Sequence, residues 1–370
     1  MSSLRSALQP LGPHLSEGLL STETFHQLLA NLELLPEALS SAFGFECPLG
    51  TRATSPASIA LYAPLATGGP ILSGEDSVTH LPEQLFRNVA WRRLHAFGAR
   101  WTESASRLHV HVPSVRLRFD AGASSPGLPV PDVFVSFNPK TFEPSDTFQK
   151  TAESALHLLL GAPLPFATSV RIARSLHALP PGSRIVHTGA LLSRQSSTVR
   201  LCIGGLTGPA LPGYLQGLGW VGNPRSLSGL LNDLQGIVDT FDLSVDIGNE
   251  VMPRLILQCH MRPTQPDGGP GRTQALLDYL VGRSVCTAEQ REALLDWTGA
   301  PLTQIPDAVL EPTRIARRVG SLQLIHVPGG MLEARAFFGA VQRPFGLAAY
   351  RAARASRAAT LEGAAPAASL

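Results

Sequence analysis

Residues 115–137 read VRLRFDAG, then a loop of small residues, then PDVFVSF, and residues 242–259 read DLSVDIG, NEVM and PRLILQC. In both stretches an apolar–polar alternation runs into Asp-x-Gly, and a second alternating segment starts at a proline. A period of two is typical of a half-buried strand, and proline is tolerated at the first position of a strand. Each stretch therefore predicts two adjacent antiparallel strands, and their recurrence indicates an internal duplication.

The rest of the chain mixes short strands with helices. Asn223 followed by Pro224 predicts the start of a leucine-striped helix. A strand is predicted at 107–112, and the last strand, 321–327, is predicted to turn at a PGG sequence into a helix over LEARAFFGAV, 332–341. Because strands arrive in adjacent pairs, we expect an α+β fold: antiparallel sheets with helices packed on one face, in two related halves.

Breaks in composition predict the domain organisation. The Pro-rich segment 162–168 is typical of a linker, so we expect one α+β half over 1–161, which starts with a helical segment at 1–42. The second half is predicted over 169–349. The Ala/Arg-rich tail 350–370 is predicted to be disordered.

Composition excludes several classes of protein. The net charge of +2 over 370 residues lacks the basic footprint of a nucleic-acid binder. No apolar run approaches the ~18 residues of a membrane span, no signal peptide is evident, and the four cysteines form no CxxC pair. We therefore expect a cytoplasmic protein with buried thiols and without nucleic-acid or membrane partners. With only Lys140 and Lys150 present, P-loop and Schiff-base chemistry are discounted.

The sequence His109-Val110-His111 is the sharpest candidate for a metal site. On a strand, residues i and i+2 project from the same face, so both imidazoles would reach one metal. Two histidines with one carboxylate suit non-haem iron, and Asp120 or Asp246 would supply that carboxylate. The alternative is two histidines on a solvent-facing edge strand, and then no cofactor is expected. Asp120 and Asp246 also form a candidate carboxylate pair, unless each caps its own turn.

Arginines recur on the predicted strands at Arg116, Arg118, Arg200 and Arg254. A guanidinium group on a sheet face suits bidentate capture of a carboxylate, including a peptide terminus or an acidic side chain. We therefore name Arg118, Arg200 and Arg254 as candidate peptide-binding residues. Trp220, just before a helix start, is added as an aromatic anchor. A solvated, salt-bridged sheet face and a core tryptophan are the alternatives.

The ordered segments FGFECPL, VRLRFD…VPDVFV, VRLCIGGL…YLQGLGW, LSVDIG…VMPRLILQC, CTAEQREALLDW and SLQLIHVPGGMLEARAFF resemble a bacterial family encoded near ribosomally made peptide natural products. Within this group, the chain resembles the paired homologous proteins of crocagin-type biosynthesis. The resemblance covers most of residues 15–340 and rests on strand and turn signatures. It implies binding and processing of a precursor peptide, and it carries over no catalytic residue.

Three functions follow from these observations. We expect a precursor-peptide-binding protein that guides or assists post-translational tailoring, working with the peptide and with partner tailoring enzymes. The alternative is an iron-dependent oxygenase acting on the same peptide through His109 and His111. Least favoured is a metal-free transferase whose repeated α and antiparallel β units enclose a pocket, as in aromatic prenyltransferases. A homodimer through exposed strand edges is also predicted.

Overall fold

The computed structural model describes residues 3–40, 42–51, 55–122, 128–138, 145–194, 197–261, 271–297, 302–304, 313–327, 329 and 331–344. The predicted disordered tail, 350–370, lies outside these residues. No helix among them is both long and apolar enough to cross a lipid bilayer.

Strands in the described chain arrive mostly as adjacent pairs, as the alternation predicts. They are β1 (Ala42–Leu49), β2 (Ser58–Pro64), β3 (Ser114–Asp120), β4 (Asp132–Ser136), β5 (Arg184–Ala190), β6 (Val199–Leu206), β7 (Thr240–Ile247), β8 (Val251–His260), β9 (Leu302–Gln304), β10 (Thr313–His326) and β11 (Glu333–Pro344).

In the part of the chain that the structure describes, helices lie before the first strand and between the strand pairs, with three between β2 and β3 and two in each later gap up to β9. They are α1 (Leu4–Leu8), α2 (Thr22–Ala30), α3 (Leu65–Ser73), α4 (Val89–Thr102), α5 (Arg107–His111), α6 (Ser145–Leu160), α7 (Phe166–His177), α8 (Ala210–Leu218), α9 (Pro224–Asp233), α10 (Gly271–Gly282) and α11 (Ala288–Asp296). The predicted start of α9 is confirmed, since Asn223 Oδ1 accepts hydrogen bonds from the backbone N–H groups of Arg225 and Ser226.

The strands close into one antiparallel barrel. Neighbours follow the order β11-β1-β2-β3-β4-β5-β6-β7-β8-β10, and β10 also pairs with β11, so that ten strands form a ring with β9 added at the side of β10. The predicted fold class is therefore wrong. Instead of sheets with helices on one face in two halves, the chain forms a single barrel in which strand pairs alternate with groups of two or three helices, with the helices outside.

The strand that closes the barrel is the segment predicted as a helix. Ala, Leu, Glu and Arg in LEARAFFGAV favour a helix locally, yet β11 pairs with β10 on one side and with β1 on the other. Every second residue at its start, Ala334, Ala336 and Phe338, lies in the hydrophobic core. Pairing with two long strands therefore overrode local propensity, and the closed ring leaves β1 and β11 without the free edges on which the predicted homodimer depended.

Apolar side chains face outward, toward the helices. On β7, Phe241, Leu243, Val245 and Ile247 are buried in the hydrophobic core, whereas the residues between them are half-buried. Because side chains alternate across a strand, the polar set faces the inside of the barrel. The barrel thus encloses a polar lumen with some solvent access.

Candidate functional site

Charged side chains from most of the barrel strands converge in the lumen, at the end where the strand hairpins turn. We call this set the lumen cluster. Its members are Glu46, Arg116, Arg118, Asp120, Asp132, Arg200, Asp246, Arg254 and Arg335.

The pair Arg118–Asp132 is the most deeply buried part of the cluster. Arg118 Nη2 donates to Asp132 Oδ2 at 2.7 Å, and the two side chains are 3% and 1% exposed. Asp132 Oδ1 also accepts from the backbone N–H (3.1 Å) and the hydroxyl (2.7 Å) of Ser193. These bonds satisfy both carboxylate oxygens, as a buried charge requires.

Glu46 on β1 lies at the centre of the arginines. Its Oε2 is 3.5 Å from Arg118 Nη1 and 3.7 Å from Arg335 Nη1. Burial alone would raise the pKa of Glu46, but surrounding guanidinium groups hold that pKa below its usual value; they belong to Arg118, Arg116, Arg335 and Arg200. Glu46 is therefore ionised, and the influence of Arg200 from β6 reaches it across the lumen.

The two aspartates of the duplicated motif both lie near the hairpin end of the lumen, and each has an arginine. Arg200 holds Asp246 in a bidentate pair, with Nε–Oδ1 at 2.6 Å and Nη2–Oδ2 at 2.9 Å. Asp120 Oδ1 is 3.6 Å from Arg118 Nε, and Asp120 Oδ2 is 3.9 Å from Arg194 Nη2. Two carboxylates that each have a guanidinium partner are not forced to share a proton, which argues against a carboxylate dyad.

Arg254 and Arg335, which we call the rim pair, have only distant carboxylate partners. Arg254 Nη2 lies 4.0 Å from Glu333 Oε2, and Arg335 Nη1 lies 3.7 Å from Glu46 Oε2. Burial lowers the pKa of Arg254, and burial together with neighbouring arginines lowers the pKa of Arg335 to about 10. Both remain protonated at neutral pH, yet their positive charge is undercompensated. An incoming anion would restore the balance.

A second polar group lies at the opposite end of the lumen. His260 Nε2 is 2.9 Å from Asp242 Oδ2, and Asp242 Oδ1 accepts from the Gly205 N–H at 3.1 Å. The hydrogen bond to Asp242 raises the pKa of His260. Higher on β7, Ser244 donates to Cys202 Sγ at 3.1 Å.

The His260–Asp242 pair predicts a pH dependence of stability. Because the folded pKa of His260 lies above the unfolded value of about 6.5, the pair stabilises fully below about pH 6.5. That contribution is lost as pH rises through the folded-state pKa. We expect His260→Gln to lower the free energy of unfolding at pH 5.5 more than at pH 9, as measured by urea denaturation. His177→Gln, at an exposed histidine on α7, is the control, and an equal effect of His260→Gln at both pH values would contradict the prediction.

The predicted metal residues are not brought together. The predicted strand 107–112 is wrong: Arg107–His111 form the short helix α5, because Ser106 caps it by accepting from the Leu108 N–H. On a helix, residues i and i+2 point in different directions, and His109 Nδ1 lies 3.2 Å from the Trp101 carbonyl oxygen. Among the described residues, no three His, Cys, Asp or Glu side chains are grouped to hold a metal ion.

The predicted peptide-binding residues divide into two groups. Arg118, Arg200 and Arg254 meet in the lumen cluster, together with Asp120. Trp220 lies on the outer wall, where its Nε1–H donates to the Pro253 carbonyl at 3.1 Å and its ring lies 6.3 Å from that of His326.

Sequence reasoning missed Glu46, Asp132 and Arg335 as members of the site. Arg335 was missed because a helix was predicted for residues 332–341. Glu46 and Asp132 each stand in a strand at alternate positions to buried apolar residues. A charged residue at such a position in a strand was the signal that could have revealed them.

Comparisons with known proteins assign no family to the chain. No protein-family model matches the chain, and no curated protein matches it either. Among solved structures, the chain is similar to a prenyltransferase, PriB, in a ternary complex with L-tryptophan and dimethylallyl thiolodiphosphate. The identity is 14% and the TM-score 0.47, over 91% of this chain and 96% of that one. The resemblance to the crocagin-type proteins stays a prediction.

Proposed function

We propose that the chain binds a peptide through a carboxylate held in the barrel lumen and thereby assists its post-translational tailoring. The observation that carries this proposal is the undercompensated charge of the rim pair. Arg254 is 37% exposed at its side chain, so a ligand has access to it, whereas Arg335 is 8% exposed and lies deeper. A carboxylate between them would gain charge-assisted hydrogen bonds from one accessible and one desolvated guanidinium group.

Charge balance favours a ligand with a single negative charge. In and around the lumen cluster, at the hairpin end of the barrel, the described residues include six guanidinium groups and five carboxylates. The arginines are Arg116, Arg118, Arg194, Arg200, Arg254 and Arg335, and the acids are Glu46, Asp120, Asp132, Asp246 and Glu333. A surplus of one positive charge suits one carboxylate. A diphosphate would bring several negative charges to arginines that mostly have acidic partners, at high cost in a partly dry lumen.

Binding of a labelled peptide tests the proposal. The probe is fluorescein-Gly-Ser-Gly-Leu-Phe with a free terminal carboxylate, compared by fluorescence anisotropy with the same peptide as its terminal amide. We expect the carboxylate form to bind about tenfold more tightly, equivalent to about 1.4 kcal/mol. Arg254→Ala should abolish that preference, and the control Arg225→Ala, at an exposed arginine on α9, should keep it.

Two results would contradict the proposal. One is an unchanged preference for the carboxylate in Arg254→Ala. The other is the absence of measurable binding of either peptide to a protein whose folding is verified by circular dichroism.

A second candidate, metal-free group transfer inside the lumen, is favoured by the surroundings of Arg116. Its guanidinium lies 4.5 Å from the centroid of the Phe134 ring and is hydrogen bonded to Tyr62. Among the described residues, no carboxylate lies within 4.0 Å of its nitrogen atoms. An arginine beside two aromatic rings suits the transfer of a hydrophobic cation from a phosphorylated donor. Release of pyrophosphate from an isoprenyl diphosphate in the presence of peptide would establish this activity.

A further inference from the structure

Two exposed methionines lie at the mouth of the barrel, above the rim pair. Met252 is 42% exposed and Met331 is 59% exposed. Met252 precedes Arg254 by two residues on β8. Met331 precedes Glu333, the first residue of β11, by two residues and Arg335 by four.

Strand pairing brings these two positions to one side of the mouth. Leu255 of β8 pairs with His326 of β10, and Ile325 of β10 pairs with Glu333 of β11. The ends of β8, β10 and β11 that carry Arg254 and Glu333 therefore lie side by side.

Burial places both methionines away from the hydrophobic core. Met252, two residues before Arg254 on β8, and Met331, which precedes the start of β11, are both exposed. Their neighbours lie on the other side, because Val251 is buried in the core and Leu332 packs against it. The two thioether side chains thus form an apolar edge at the strand ends that carry the rim pair.

We infer that this edge recognises a large apolar side chain next to the carboxylate of the bound peptide, so that the barrel selects peptides with an apolar C-terminal segment. The inference rests on the proposed function. Charge complementarity supports this occupant, because the same wall carries the undercompensated rim pair. Residues two apart on a strand are separated by about 6.6 Å, so an apolar side chain one or two residues before the carboxylate reaches the methionines.

Methionine suits this role. Its unbranched side chain adapts to irregular apolar partners and makes favourable contacts with aromatic rings.

The experiment separates apolar recognition from carboxylate recognition. Two fluorescein-labelled peptides with free carboxylates are compared by anisotropy, Gly-Ser-Gly-Leu-Phe and Gly-Ser-Gly-Gly-Gly. We expect wild-type protein to prefer the first by about tenfold. The double variant Met252→Ser/Met331→Ser should lose this preference while it keeps the preference for a carboxylate over an amide. The control Val78→Ser, at a side chain that is 71% exposed elsewhere on the surface, should change neither.

Each contrary result has its own meaning. If the double variant keeps the apolar preference, the inference is wrong while carboxylate binding stands. If neither peptide binds to wild-type protein, the inference and the proposed function both fail. If sedimentation velocity shows that wild-type protein is a dimer and the double variant a monomer, with peptide preference unchanged, the methionine edge is a contact between copies of the chain and the inference is overturned.

Discussion

Asp132→Ala is expected to lower the free energy of unfolding by about 3–5 kcal/mol, the range found when one partner of a buried ion pair is removed. The substitution deletes three hydrogen bonds at once, one from Arg118 and two from Ser193. It also leaves the Arg118 guanidinium, 3% exposed, with the more distant carboxylates of Glu46 and Asp120, at 3.5 and 3.6 Å. Urea denaturation at pH 7 measures the change.

Matched variants identify the cause of that loss. Asp146→Ala removes an aspartate whose pair with Lys150 is exposed, at 67% for Asp146 and 55% for Lys150, so it should lower the free energy of unfolding far less. The double variant Asp132→Ala/Arg118→Met removes both charges and should recover part of the stability, because no buried guanidinium remains uncompensated. If Asp132→Ala cost no more than Asp146→Ala, the lumen would be far wetter at this point than the burial indicates.

Gly339→Ala is expected to destabilise the protein by about 3 kcal/mol, the upper end of the overpacking range. Gly339 on β11 pairs with Gly44 on β1 at the seam that closes the barrel. A Cβ at Gly339 would collide with the Phe43 carbonyl oxygen and lie 2.7 Å from the Gly44 Cα. Both neighbours are backbone atoms, which cannot move aside by changing rotamer, so the two strands must separate.

Hydrogen exchange locates the effect of Gly339→Ala. Amides of β1 and β11 should lose protection, while those of β5 and β6, on the far side of the ring, should keep it. The control is Gly229→Ala on α9, where an added Cβ meets no atom within 4 Å. There, the gain in helix propensity should stabilise by up to about 1 kcal/mol. Uniform loss of protection around the barrel would show that the seam is not a separable unit of the fold.

The predictions that succeeded depended on short-range pattern. The strands within 115–137 and 242–259 formed as predicted, because alternation and a strand-initial proline act within a few residues of each other. The start of α9 followed from Asn223 and Pro224 for the same reason. The positions of Arg118, Arg200 and Arg254 on strands also followed from pattern, whereas their part in peptide binding stays a prediction.

The predictions that failed depended on a competing short-range signal or on a distant partner. A His-x-His sequence fits a strand, yet Ser106 starts a helix there by capping the Leu108 N–H. The segment around Arg335 fits a helix, yet its partners are β10 and β1. Neither the capping geometry nor the partner strands could be read from the period of the residues alone.

Within 115–137 and 242–259, the sequence by itself determined which residues form paired strands and which side chains alternate as polar and apolar, because these depend on neighbours along the chain. Only the tertiary structure decided that the polar side faces inward. That outcome requires β1 to pair with β11, which lies almost a whole chain length away and whose local preference is helical. Closure turned what would have been a solvated sheet face into an enclosed lumen. It thereby converted scattered arginines and carboxylates into one charged site.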